Sequence, residues 1–122
     1  MVAVRLSQAA QSDIIEILTY TSQTFGGSAR LRYERLLIVA LRDLAENPHR
    51  PGSVERPELG EGVRSYHLRH ARERARHESG VVQRPRHVLI YRIVHANLIG
   101  VARILHDAME LERNLSDIYT ED

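Results

Sequence analysis

The chain contains no cysteine. That excludes a disulfide framework, a thiolate nucleophile and any cysteine-ligated metal. Lysine is missing as well, so all 17 Lys/Arg positions are arginine, and no lysine can act as general base, nucleophile or Schiff-base former. No apolar run approaches the roughly 18–20 residues that a membrane span requires. The opening stretch MVAVRL is too short and too soon polar for a secretory signal, so a cytoplasmic location is expected. No internal repeat is visible. No GxSxG turn marks a nucleophile, and Gly26-Gly27 is an isolated pair rather than a phosphate cradle. Seven histidines are present. His67 and His70 lie three apart, and His87 and His95 flank one apolar run, but none stands in an HExxH or comparable frame. No metal and no other cofactor is therefore expected.

What is there suits one soluble domain over residues 1–122, with 43% hydrophobic and 27% charged residues. The formal net charge of +1 conceals an asymmetry. Residues 63–106 hold nine Arg against Glu73 and Glu78, whereas residues 107–122 hold six acids against Arg113. A basic middle and an acidic end suit a polar partner surface, or neutralise one another within the chain.

Residues 2–6 alternate as a short strand, with Val2, Val4 and Leu6 on one face. Ser7 is placed to cap a helix whose stripe is Ala10, Ile14, Ile17, Leu18, Thr21 and Phe25. Gly26-Gly27 stops it. Ser28 then caps a second helix with Tyr33, Leu37, Ala40, Leu41 and Leu44 as its stripe, which Asn47-Pro48 ends. So short a turn makes the pair an antiparallel hairpin. The second helix carries more apolar residues than one face can use: Leu36, Ile38 and Val39 lie round its side. Either two sides of the helix are buried, or these three meet a partner.

Residues 48–62 read as a Pro- and Gly-rich connection. A half-exposed strand comes next over 63–69, then a long polar excursion over 70–84 that reads as a mobile hairpin tip. The run HVLIYRIV over 87–94 and the run LIGVARIL over 98–105 read as central strands joined at Ala96-Asn97. Asp107 with Glu110 forms a capping box for a short C-terminal helix. The expected fold is α+β: an N-terminal strand, a helical hairpin packed on a mainly antiparallel sheet of three to four strands, and that last helix.

Arg64, Arg92 and Arg103 fall on three neighbouring strands, the last two interrupting apolar runs where an unpaired charge is costly. They form a face for an anionic partner, or they pair with Asp107, Glu110 or Glu112. A face of Arg64, Tyr66, Tyr91, Arg92, Arg103 and His106 also has the residue types for RNA cleavage, arginine stabilising a phosphorane and Tyr or His moving protons.

The strand–hairpin order, GVR at 62–64, LIYRI at 89–93, ARILH at 102–106 and the DAMELER stretch after it together resemble the ParE toxins of the RelE/ParE superfamily, across nearly the whole chain. The excursion at 70–84 is longer than the tight hairpin usual there. The resemblance implies a plasmid- or chromosome-stabilisation toxin that inhibits DNA gyrase and is neutralised by a co-encoded ParD-like antitoxin. Direct nucleic-acid binding and catalytic residues are not expected. The alternatives are a RelE-like nuclease that cuts messenger RNA on the ribosome, or a non-toxic stabilisation protein. On this reading the target is bound by Arg64, Arg92, Arg103, His106 and Met109, with arginine and methionine suited to contact patches. The antitoxin is bound by Leu36, Ile38 and Val39.

Overall fold

In the computed structural model, which describes residues 1–109, strand β1 (Ala3–Leu6) leads into helix α1 (Gln8–Phe25) and helix α2 (Gly27–Glu46). Strands β2 (Ser53–Glu55), β3 (Val63–His67), β4 (His87–His95) and β5 (Leu98–His106) complete the order. The sheet order is β1-β5-β4-β3-β2, with β1 parallel to β5 and the other pairs antiparallel. The fold is thus the expected α+β arrangement with one more strand, because three residues of the Pro/Gly-rich connection pair with β3. The short C-terminal helix expected from Asp107 onward falls on residues beyond Met109, outside those described.

Local chemistry sets the helix ends. Ser7 Oγ accepts from Ala10 N at 2.9 Å and donates to Ala102 O at 2.7 Å, so one hydroxyl caps α1 and ties it to β5. Gly26 ends α1 at φ 95°, a conformation L-residues resist. It also stands at the cap of α2, where no side chain serves, so Ser28 is not the expected cap. Phe25 leaves the predicted stripe. It is 69% exposed and meets Tyr20 edge-to-face with ring centroids 6.3 Å apart.

The main core lies between the hairpin and one sheet face: Leu18, Leu36, Leu44, Leu89, Ile99 and Val101 with Tyr33, Tyr66 and Tyr91. Period-two alternation sends Val63, Val88, Ile90 and Leu105 to the opposite face, where Leu59 from a 3-10 turn at Pro57–Leu59 covers them. Two irregularities break the β4–β5 register, at Ile90/Tyr91 and at Ile93/His95. The first leaves Ala102 as the extra residue of β5, a bulge that re-aims its neighbours.

The segment after β3 departs from a polar tip. A 3-10 turn at Leu68–Ala71 and an isolated His77–Gly80 bridge shape it, and Leu68, Ala71, Ala75 and Val81 are buried. It is fastened by Asp43 of α2, which is 4% exposed. That carboxylate accepts from Tyr66 Oη at 2.9 Å, pairs with Arg50 at 3.3 Å and takes a short bond from Arg74. Replacing Asp43→Ala takes the shared carboxylate from Arg50, Arg74 and Tyr66. It is expected to lower unfolding free energy by about 3 kcal/mol in urea titration, and to speed tryptic cleavage within 72–84. Unchanged stability would show that the fastening contributes nothing.

Candidate functional site

The end of the sheet where β4 begins and β5 finishes gathers a cluster of titratable side chains. His87 and His106 are register partners, with ring centroids 5.4 Å apart and nearly perpendicular. Arg86 N donates to Tyr33 Oη at 3.2 Å, so that hydroxyl donates onward to His87 Nδ1 at 2.6 Å. Asp107 accepts from Arg86 Nε at 3.2 Å and from His67 Nε2 at 2.9 Å. Burial pushes the Tyr33 hydroxyl up to about 12, against the lowering bond from Arg86. Burial and the neighbouring His106 push His87 down to about 4, so this imidazole is neutral. Burial raises the Asp107 carboxyl, but the bonds from His67 and Arg86 outweigh it and hold the group below its ordinary range.

The lone pairs in this cluster are engaged. Nδ1 of His67 accepts from Arg69 N at 3.0 Å, and Nδ1 of His106 accepts from Ala108 N at 3.1 Å. His77 and His95 do the same two residues on, at 3.1 and 3.2 Å. A neutral imidazole has one acceptor nitrogen. Each of these rings therefore holds a turn through Nδ1, and His67 gives its other nitrogen to Asp107. Among the described residues no group of three or more His, Asp or Glu is arranged to hold a metal ion.

The strand arginines are not gathered on one face. Arg64 donates through Nε to Ser53 Oγ at 2.7 Å and meets Glu55 at 3.4 Å. Ser53 in turn makes a short bond with Tyr91 Oη, which donates to Pro48 O at 2.5 Å. This network pins the connection over β2 and β3. Arg103 forms a two-pronged pair with Asp13 of α1, Nε to Oδ2 at 2.7 Å and Nη2 to Oδ1 at 2.9 Å. The bond to Asp13 raises its already high pKa. So Arg103 is paired, but with α1 and not with the acids after β5. Asp107 pairs with His67 and Arg86 instead, and Glu110 and Glu112 lie outside the described residues. Arg92 stands opposite Gly100, its stem against the Gly60–Gly62 turn. His106 and the exposed Met109 belong to the other end of β5, six residues from Gly100 and about 20 Å along the strand.

The helix residues expected at a partner surface also divide. Leu36 and Val39 are buried in the main core; Ile38 alone is exposed, at 43%. Helix α2 is covered on two sides, by α1 and by the segment after β3, which takes up the surplus apolar residues. Between Leu31 and Ala45 the exposed positions of α2 are Leu31, Arg35, Ile38 and Arg42. They stand at i, i+4, i+7 and i+11, one narrow seam of alternating apolar and cationic residues. Neither Arg35 nor Arg42 has an ion pair among the described residues. The spacing was legible in the sequence; what hid it was the apolar surplus on either side.

The family profile described as ParE toxin of type II toxin–antitoxin system, parDE, matches over residues 4–111. A chain of the solved chromosomal ParDE TA system from P. aeruginosa superposes with a TM-score of 0.60 at 17% identity, covering 87% of this chain and 96% of that one. At that identity the likeness speaks for the fold. No curated protein matches the sequence.

Removing Arg103→Ala strands the buried Asp13 carboxylate and is expected to destabilise the fold by about 3 kcal/mol in urea titration. A variant as stable as the parent would return Arg103 to the surface. The lowered His87 makes stability complete above its unfolded pKa near 6.5 and lost progressively as pH falls to about 4, by up to about 3 kcal/mol. His106, His67, Asp107 and Asp13 modulate that step. His87→Asn, which keeps an acceptor for Tyr33 but cannot titrate, should flatten the melting curve across this pH range; an unaltered pH profile would assign the step elsewhere.

Proposed function

This chain belongs to the ParE toxin family of type II toxin–antitoxin systems, and from that premise we propose that it inhibits DNA gyrase by binding it in the cytoplasm and is neutralised by a ParD-like antitoxin. The observation that carries the antitoxin half is the seam on α2. A helix laid along Leu31, Arg35, Ile38 and Arg42 buries two apolar side chains and offers acids to two uncommitted guanidiniums. The chemistry of the histidine cluster supports action by binding rather than by bond cleavage. An endonuclease needs a base with a free lone pair near the scissile phosphate, and His67, His87 and His106 have theirs engaged.

For the target we propose Arg92 on the open sheet face, with His106 and Met109 where β5 ends. Arg64 and Arg103 serve this surface from within, by holding β2 against β3 and α1 against β5.

Expression without antitoxin should arrest growth, and purified protein should inhibit gyrase supercoiling. Discrete cuts at the ribosomal A site, with supercoiling untouched, would replace gyrase by the ribosome as target. The double change Leu31→Glu with Ile38→Glu alters exposed positions only. It is expected to weaken binding of the neighbouring-gene antitoxin at least tenfold by calorimetry, leaving circular dichroism and gyrase inhibition unchanged. Parental affinity in that variant would remove α2 from the interface.

A further inference from the structure

Three chain ends meet where the sheet runs out. β3 pairs with β4 as far as His67 and Val88, and β4 with β5 as far as His87 and His106. Residues 68–86 leave the sheet at the first of these points and return beside the second. Beyond the ladders, the side chain of Asp107 takes over. Its Oδ1 accepts from Arg86 Nε at 3.2 Å and pairs with Arg86 Nη2 at 3.0 Å, while its Oδ2 accepts from His67 Nε2 at 2.9 Å. Its backbone N–H also donates to Arg86 O at 2.8 Å. His67 carries the hold one step further, since its Nδ1 accepts from Arg69 N in the 3-10 turn. On the other side, Arg86 N donates to Tyr33 Oη of α2. Just past Asp107 the chain turns tightly: Ala108 N donates to His106 Nδ1 at 3.1 Å, and Met109 N to His106 O at 3.1 Å. That turn presents Met109, which is exposed.

We propose that Asp107 is a positioning residue for the target surface at this end of β5, a clasp that closes both feet of the 68–86 segment onto the turn carrying His106 and Met109. That role rests on the target surface proposed above. Both carboxylate oxygens are engaged by donors of this chain, so Asp107 works through its neighbours rather than on a partner. Those neighbours face it as donors alone: a guanidinium has no acceptor, and His67 has already given Nδ1 to Arg69. Without an anion between them, Arg86 and His67 have nothing to offer one another, and the two feet part. An amide is a poor substitute. It has one acceptor oxygen and turns an NH2 group toward one of the two donors. The Arg86 and Asp107 side chains are 52% and 29% exposed, and a pair so open to water contributes little to overall stability. Its loss therefore changes where the turn points more than whether the fold forms.

The test compares Asp107→Asn, Arg86→Gln and the double variant as full chains. Asp107→Asn is expected to need at least tenfold more protein for half inhibition of gyrase supercoiling and to lose growth arrest, with melting temperature and antitoxin affinity unchanged. Amide exchange followed by NMR should be at least tenfold faster at positions 69, 107 and 108, and parental at Leu89 and Ile104 in the paired strands. Arg86→Gln, on which the proposal also stands if the first variant folds poorly, should show the same pattern. The double variant should be no worse than either single change, because both remove one interaction. Parental inhibition and arrest in Asp107→Asn overturn the proposal. So do single effects that multiply in the double variant, since each side chain would then meet the target separately. Inhibition lost while the amides exchange at the parental rate would make Asp107 a contact residue and overturn it too. A fall in melting temperature and antitoxin affinity together, in both single variants, would reduce the clasp to a structural pair. Growth arrest by the parent without gyrase inhibition, abolished in Asp107→Asn, would sink the choice of target and leave the clasp standing; gyrase inhibition by the parent that Asp107→Asn retains would do the reverse.

Discussion

The carboxylate of Asp13 finishes a sheet that β1 is too short to finish. β1 pairs with β5 only as far as Val101, and beyond that point the edge of β5 is bare of strand. Asp13, 8% exposed in α1, accepts from Ile104 N at 2.9 Å and holds Arg103 in two bonds. One side chain thus replaces a strand's acceptor, neutralises an arginine at the Ala102 bulge, and locks the first helix to the last strand. A buried backbone N–H and a buried carboxylate are each costly alone, and together they are satisfied. The far half of β5 depends on this lock. It stays in register with β4, which sets His106 over His87 and brings Asp107 to His67 and Arg86.

Asp43 does for the second helix what Asp13 does for the first. Placed on the core side of α2, it draws in Tyr66 from β3, Arg50 from the connection and Arg74 from the segment after β3. That fastening lets Ala71, Ala75 and Val81 pack where a solvated loop would leave α2 open. With α1 on one side and this segment on another, the helix is left one strip of surface. A strip one residue wide admits a helix in few registers. Its alternation of apolar and cationic positions narrows the choice further, because a lysine or arginine opposite Arg35 or Arg42 would be repelled.

Much of the architecture was legible because its signals are local. Ser7 before an apolar stripe marked the start of α1, and the change from helical to alternating period after residue 62 marked the sheet. The misreadings share a cause in long-range pairing. The triplet Ser53–Glu55 has no strand pattern of its own; it is a strand because Arg64 and Tyr91 reach Ser53 across β3. The polarity of residues 70–84 suggested a tip in solvent, yet Arg72 donates to Val82 O at 2.8 Å and Arg74 to Asp43, so its charges hold the segment down. Phe25 fitted the period of α1 but lies one turn beyond the sheet that buries the rest. Asp13 sat in the apolar stripe, a visible signal that an acid there had a partner, though ninety residues of chain concealed which.

The same distinction separates charge in the sequence from charge available to a partner. The stretch 63–106 holds nine arginines and looks like the binding region. In the fold Arg64, Arg74, Arg86 and Arg103 are each taken up by an acid of this chain. All four of those acids, Glu55, Asp43, Asp107 and Asp13, come from outside the stretch. Among the described residues Arg5, Arg35 and Arg42, in the near-neutral first half, have no ion pair or side-chain hydrogen bond, and within the stretch the same is true of Arg69 and Arg84. An arginine-only basic set makes this division sharp. A guanidinium can satisfy a buried carboxylate through two bonds at once, so each internal pair is held in one geometry. The net charge of a segment is therefore a poor guide to where this protein meets another, and the better guide is which arginines its own carboxylates leave alone.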